Sequence, residues 1–293
     1  MKVLVTGATG FVGRAVAQEL LARGHDVHAL IRDTRKSVPR GCGILCADLS
    51  NEQEAIRALR GTSWDAVVHA AAAIPGVTNV APDFAVNVAM TRNLSAAISS
   101  MPPKQLVFTS TLDVYAASDA ALITESSRIE PGTAYAVSKR VCEEWVEGWC
   151  RSARVNACIL RLTHIFGPGD RGRKFIPSAI RAIRAGQPVV IHGDGGDLRD
   201  YMYADDMAQA VALALEKRAS GVLNVATGTS VSLRDVLDAL KRAAGFDFPV
   251  EYQPRKKPRV DYRFDVSQLR AAVGVLQLTP LPDALKRTYE ADL

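Results

Sequence analysis

The sequence predicts an α/β fold, a doubly wound parallel sheet with helices on both faces and a smaller C-terminal lobe. Three observations carry this. The chain opens with a strand, a glycine-rich turn, a helix and a second strand. Apolar strand-like runs then alternate with helical patterns through most of the 293 residues. Hydrophobic content of 48% and charged content of 23% are those of an ordinary globular chain long enough for one large domain with an appendage.

The opening stretch, Met1 to Arg32, justifies itself residue by residue. Lys2 to Thr6 is a short apolar, β-branched run, as in a strand buried on both faces. Gly7, Gly10 and Gly13 follow in the spacing G-x-x-G-x-x-G. Phe11 to Leu21 has helical periodicity, Gly24 is a C-terminal stop, and Asp26 to Ile31 is the second strand. Glycines at such a turn let the backbone approach a pyrophosphate, and the amide groups of the next helix hold it. Thr9, Phe11 and Val12 share that turn and are candidate cofactor contacts beside the three glycines.

Further strands are expected at Gly43–Ala47, Ala66–Ala70, Gln105–Thr109, Val155–Arg161, Val189–His192 and Val222–Ala226. Helical patterns lie between them at Asn51–Leu59, Asp83–Ser100, Thr133–Arg151 and Tyr203–Lys217. In such sheets ligands bind beyond the carboxyl ends of the strands, so the residues there are the candidates. The second strand ends in Ile31-Arg32, and an arginine at this place suits a 2′-phosphate, which tilts the cofactor toward NADP. A solvated basic loop is the alternative. Asp48-Leu49 follows the third strand, where Asp48 accepts from an adenine amino group or caps the next helix. His69 and the small residues Ala70, Ala71 and Ala72 follow the fourth. The His69 side chain reads as a satisfied histidine at a strand end. Asn87, in a helical pattern, must be hydrogen-bonded if buried.

The fifth strand ends in Thr109-Ser110-Thr111, hydroxyls placed to bond a substrate oxygen or else structural, with Thr109 a candidate cofactor contact. Tyr135 and Lys139 then share one face of a helix at i, i+4 spacing. A free tyrosine is a poor base at neutral pH, and a nearby ammonium is expected to lower its pKa. The pair can then move a proton to or from a substrate oxygen.

The net charge of +5 suits an anionic ligand and is too modest to argue for nucleic acid. The five cysteines, odd in number and without C-x-x-C pairing, read as reduced packing thiols of a cytoplasmic protein with no metal set. Met1 runs directly into the first strand, so no signal peptide is expected. The longest apolar run, Ala66 to Pro75, is too short to span a bilayer.

In order and spacing, Gly7-x-x-Gly10-x-x-Gly13, Asp48-Leu49, His69-Ala70-Ala71, Asn87, Ser110-Thr111, Tyr135-x-x-x-Lys139 and Arg161 resemble the extended short-chain dehydrogenases/reductases. The likeness is to the NAD-dependent epimerases and dehydratases that act on nucleotide sugars. Gly167-Pro168-Gly169, Arg199-Asp200-Tyr201, Asp205-Asp206 and Asp265-Val266-Ser267 are similar to its later landmarks. The resemblance implies a Rossmann domain (1–161 plus 201–226) and a substrate-binding lobe (162–200 plus 227–293). It implies Tyr135 as general acid/base, Lys139 as its partner on the nicotinamide ribose, and Thr111 on the reacting oxygen with Ser110 beside it. Arg199 and Arg255 fall where relatives clamp a nucleotide diphosphate. The helices around Asp83–Ser100 and Thr133–Arg151 commonly form a homodimer interface in relatives.

UDP-sugar members usually carry Asn at His164 and often at Lys174, both candidate substrate contacts here. The dehydratases' acid is missing at Thr111-Leu112-Asp113. The leading expectation is an NAD(P)-dependent nucleotide-sugar epimerase of the 4-epimerase kind. The alternatives are an NADP-dependent reductase or dehydrogenase of a small carbonyl or sugar, and a non-catalytic NADPH-sensing regulator. The basic run Arg255-Lys256-Lys257-Pro258-Arg259 reads as a phosphate clamp or a solvated loop, and no nucleic-acid or membrane partner is expected.

Overall fold

The computed structural model describes residues 1–74, 83–116, 122–255 and 258–291. Lys256, Lys257 and the end of the 66–75 run lie outside them. The first half of the chain runs β1 (Lys2–Thr6), α1 (Phe11–Ala22), β2 (Asp26–Ile31), β3 (Gly43–Cys46), α2 (Glu52–Leu59) and β4 (Ala66–His69). It continues through α3 (Asp83–Ile98), β5 (Gln105–Thr111), α4 (Ala134–Ala153) and β6 (Asn156–Leu162). Next come β7 (His164–Phe166), α5 (Phe175–Arg184), β8 (Val189–His192), β9 (Leu198–Tyr203), α6 (Ala204–Glu216) and β10 (Gly221–Val225). The remainder is β11 (Ser230–Ser232), α7 (Leu233–Ala244), β12 (Val250–Gln253), α8 (Ser267–Val273) and α9 (Leu281–Glu290).

Seven strands form one parallel sheet in the order β3-β2-β1-β4-β5-β6-β10. The strand order reverses between β1 and β4, which opens a crevice at their carboxyl ends. Thr6 and His69 are register partners at that point. Helix starts follow local chemistry. Asn51 caps α2 by accepting from the amides of Gln53 and Glu54, and Thr133 caps α4 by accepting from Ala136. Gly24 takes a φ of 79° just after α1, the left-handed stop expected of it.

The sheet buries both faces. Val3, Val5, Val16, Leu20, Val211 and Leu215 belong to the core shared with α1 and α6. Leu4, Val67, Leu106, Phe108 and Leu94 belong to the core shared with α2, α3 and α4. A third core, with Phe166, Ile180, Tyr201, Leu237 and Leu285, fills the smaller lobe. There β11, β9 and β7 form one small sheet and β12 pairs with β8. Phe264, Val266, Leu269 and Val273 pack back onto the main core.

Most strand and helix bounds agree with the expected ones within two residues. The departures have local causes. β5 continues through Ser110 and Thr111 because β6 pairs with it to its last residue. The cysteines are all free, with Cys142, Cys150 and Cys158 buried and Cys46 exposed on the edge strand β3. Among the described residues, no helix is long and apolar enough to cross a membrane.

Candidate active site

The glycine turn lies on the loop that leaves β4. A Cβ at Gly7, whose φ is 73°, would stand 2.7 Å from the Ala71 nitrogen and 2.8 Å from the Ala70 oxygen. A Cβ at Gly13 would overlap the Gly7 carbonyl. Neither site admits a side chain, so strand, turn and helix close tightly. No side chain caps α1 at Gly10, and its first amides are left to an incoming anion. Thr9, Gly10, Phe11 and Val12 remain at least partly accessible around that helix start.

The loop after β4 is tied from beneath by a chain of polar groups. The Ala71 amide donates to the Thr6 hydroxyl at 3.1 Å, and Thr6 meets His69 Nδ1 at 2.8 Å. His69 Nε2 meets the Thr91 hydroxyl at 3.1 Å, and Thr91 donates to the Asn87 carbonyl at 3.0 Å. Burial, then the Lys139 cation, holds His69 down at about 3, so it is neutral, with its proton on Nε2 to satisfy this order of donors. Asn87 also donates to the Ala73 carbonyl at 3.1 Å and accepts from the Ala73 amide at 2.7 Å. Its second amide hydrogen goes to Ser138 on α4 at 3.0 Å. Asn87 therefore positions the loop of Ala70, Ala71 and Ala72 with both its donors committed inside the protein.

At the end of β2, Arg32 is exposed and 3.9 Å from the Asp48 carboxylate. The next acid, Asp33, is engaged by Arg35 at 2.9 and 3.0 Å, which holds its carboxyl down at about 2. Asp48 accepts from the Ser50 amide and hydroxyl, while Asn51 caps the helix; the capping alternative for Asp48 is thereby corrected. Leu49 is buried, and its carbonyl accepts from Asn93 at 2.8 Å.

Thr109, Ser110 and Thr111 end β5 buried beside α4. Thr109 donates to the His69 carbonyl at 3.3 Å. Thr111 donates to the Asp113 carboxylate at 3.2 Å and accepts from the Asp113 amide at 3.2 Å. Ser110, expected beside the substrate, donates its hydroxyl to the buried Glu143 carboxylate at 2.5 Å. Glu143 was not singled out in the sequence, although it falls four residues after Lys139 on the same helix.

Lys139 is buried, with its ammonium 4.4 Å from the centre of the Phe108 ring. Burial pushes it down to about 8. Tyr135 is half-buried on the same face. Its hydroxyl is pushed up, first by burial and then by Asp113 and Cys142. The expected lowering of Tyr135 by Lys139 does not prevail within the protein alone, because desolvation disfavours the phenolate more strongly.

The remaining candidates lie on the small sheets and their neighbours. His164 packs beside Tyr201 and Tyr262 at ring-centre distances of 5.6 and 5.7 Å. Burial, then the Lys174 and Arg199 cations, keeps it neutral, and its Nδ1 has no hydrogen-bond partner among the described residues. Lys174 is exposed at the start of α5. The Arg199 guanidinium lies 5.0 Å from the Tyr262 ring centre and donates to the carbonyls of Leu198 and Val260, with no carboxylate partner among the described residues. Arg255 differs. Its guanidinium is paired with Asp197 at 2.7 Å and Asp194 at 3.0 Å, so the structure ties this expected clamp residue into a turn of the lobe. Asp113 acts on both Tyr135 and Tyr262, raising each phenol after burial, and Arg199 acts on His164.

The sequence profile of the NAD dependent epimerase/dehydratase family matches residues 3–226. The chain belongs to this family. It is 29% identical over 311 residues to the UDP-glucose 4-epimerase of Mycolicibacterium smegmatis, covering 99% of this chain and 98% of that one. It is 28% identical over 278 residues to the UDP-glucose 4-epimerase of Streptomyces lividans, covering 87% and 84%. Among solved structures, it is similar to the Thermus thermophilus UDP-glucose 4-epimerase in complex with NAD, with a TM-score of 0.86, 29% identity and 99% and 98% coverage. As a member of the NAD-dependent epimerase/dehydratase family, the chain is an enzyme of the epimerase/oxidoreductase type, and its Rossmann-like fold is that of the solved epimerases. The glycine turn fits a dinucleotide: Gly7 and Gly13 let strand, turn and helix close tightly, and the start of α1 carries no side-chain cap.

Proposed function

We propose that this enzyme is a nucleotide-sugar 4-epimerase using a tightly held nicotinamide dinucleotide. The observation that carries the reading is Arg199 on β9, whose guanidinium lies 5.0 Å from the Tyr262 ring centre with no carboxylate partner among the described residues, in a chain whose α4 carries Tyr135 and Lys139 on one face. A guanidinium without a carboxylate partner is suited to a diphosphate. Several relatives are UDP-glucose 4-epimerases, which supports the substrate class.

Gly7, Gly10 and Gly13 would admit the pyrophosphate, with Ala70, Ala71 and Ala72 lining the dinucleotide on the far side. A nicotinamide dinucleotide held there would supply a reversible hydride acceptor for the sugar carbon. Tyr135 takes the proton of the reacting hydroxyl and gives it back. The Lys139 charge would oppose the burial that raises the phenol, and a bound oxidised nicotinamide would add to it. Thr111 orients the reacting oxygen. Residues 1–161 with 201–226 bind the cofactor in this reading, and 162–200 with 227–293 bind the sugar nucleotide. Exposed Val137 and Trp145 on α4 support pairing of two copies through α3 and α4.

A second reading, an NADP-linked reductase of a small carbonyl or sugar, is favoured by Arg32, exposed at the end of β2 with only a 3.9 Å approach to Asp48, while Asp33 is closed off by Arg35. Mass spectrometry of nucleotide released from denatured, freshly purified protein separates the two. Stoichiometric NAD⁺ supports a cofactor recycled in place. Empty protein that prefers NADPH supports the reductase.

A further inference from the structure

Glu143 lies one turn beyond Lys139 and two beyond Tyr135, at i+4 and i+8 along the same side of α4. It is wholly buried, yet its carboxylate is ionised, because partners close on it from three elements. The fork of Arg161 on β6 reaches it at 3.0 and 2.8 Å. Ser110 on β5 donates at 2.5 Å, and Arg140 on its own helix at 3.0 Å. These bonds hold the carboxyl below its ordinary range against the opposing cost of burial. Ser110 and Arg161 are register partners across β5 and β6. Arg161 continues to the Tyr115 hydroxyl at 3.0 Å, and Tyr115 donates to Asn224 on β10 at 2.5 Å.

This arrangement reaches the proton-transfer pair in two ways. Ser110 immediately precedes Thr111, so the carboxylate joins the end of β5 to the helix that carries Tyr135 and Lys139. It also places a negative charge near Lys139. The groups that act on that ammonium are Cys142 and Glu143 on α4, the Phe108 ring on β5 and the neutral His69 on β4. Glu143 is the one ionised carboxylate among them.

We propose that Glu143 is a positioning residue: locked by Ser110 and Arg161, its carboxylate fixes α4 against the end of β5 and keeps the Lys139 ammonium charged beside Tyr135. The proposal rests on the reading of Tyr135 and Lys139 as the proton-transfer pair.

The test compares wild type with Glu143→Gln in two measurements across pH 6 to 10: NADH affinity, and turnover of UDP-glucose. In wild type, NADH affinity falls through about 8 as Lys139 loses its charge. In Glu143→Gln the break moves down by at least about half a pH unit, and kcat falls ~10-fold with KM changed less than about threefold. An unshifted break, or a loss confined to thermal stability, overturns the proposal. Glu143→Gln with Arg161→Gln removes both buried charges and guards against misfolding of the single variant. Its break must also move down, and a wild-type break there overturns the proposal equally. If wild type turns over no UDP-sugar, the epimerase reading fails, while the NADH titration still decides the role of Glu143.

Discussion

Asn87 on α3 donates to the Ser138 hydroxyl on α4 at 3.0 Å while the same amide group closes on both backbone groups of Ala73. One buried side chain thus joins the helix bearing Tyr135 to the loop that passes beneath the glycine turn. Asn87→Leu keeps the volume and orphans the Ala73 amide and carbonyl. It is expected to destabilise the fold by about 1–3 kcal/mol and to weaken NAD binding. Urea unfolding and cofactor titration check this, and unchanged affinity would show that the loop holds its shape without Asn87.

Arg199 and Arg255 are expected to separate. Arg199→Gln removes a cation with no carboxylate partner among the described residues and should raise the Kd for UDP by about tenfold or more. Arg255→Gln leaves the buried Asp197 unpaired. It should lower the melting temperature and move the Kd for UDP by less than about threefold. Calorimetric titration with UDP and a thermal melt read both variants; a larger affinity loss from Arg255 would restore its role as the clamp.

Lys139 makes a signed pH prediction. Its folded value of about 8 lies below the ordinary 10.5, so between these values the unfolded chain binds more protons than the folded one. Stability from this group therefore rises as pH climbs from about 8 toward 10.5, and its burden is fully present below 8. Against Lys139→Met, wild type should gain melting temperature over that window. Parallel curves for the two proteins would contradict the lowering of Lys139 by desolvation.

Arg32 sets the cofactor test. Arg32→Ala should weaken NADPH by about tenfold and leave NADH within about twofold, since only the former carries a 2′-phosphate. Equal losses would show that Arg32 contacts neither preferentially.

Much of this architecture was legible because its signals are local. The glycine spacing after β1, the small residues after β4 and the Tyr135–Lys139 pair each lie within a few residues of the element that places them. What sequence reading missed depends on contacts far apart in the chain. The inward turn of Ser110 follows from Glu143, 33 residues later. The engagement of Arg255 follows from Asp194 and Asp197 across a turn of the lobe. The three-residue strands β7 and β11 are too short for periodicity to reveal. The helix α7 was open to reading, since Ser232 and Asp235 form a capping box and Gly245 ends it in the left-handed region.

The central claim is that the enzyme inverts a sugar carbon by taking and returning the same hydride, with Tyr135 moving the proton. UDP-glucose deuterated at C4, incubated with purified enzyme and no added cofactor, tests it most directly. The account predicts UDP-galactose that retains the deuterium, formed by wild type and slowed at least about 1,000-fold in Tyr135→Phe. Exchange of the deuterium for solvent hydrogen, or conversion only on adding NADPH with its net oxidation, would contradict it.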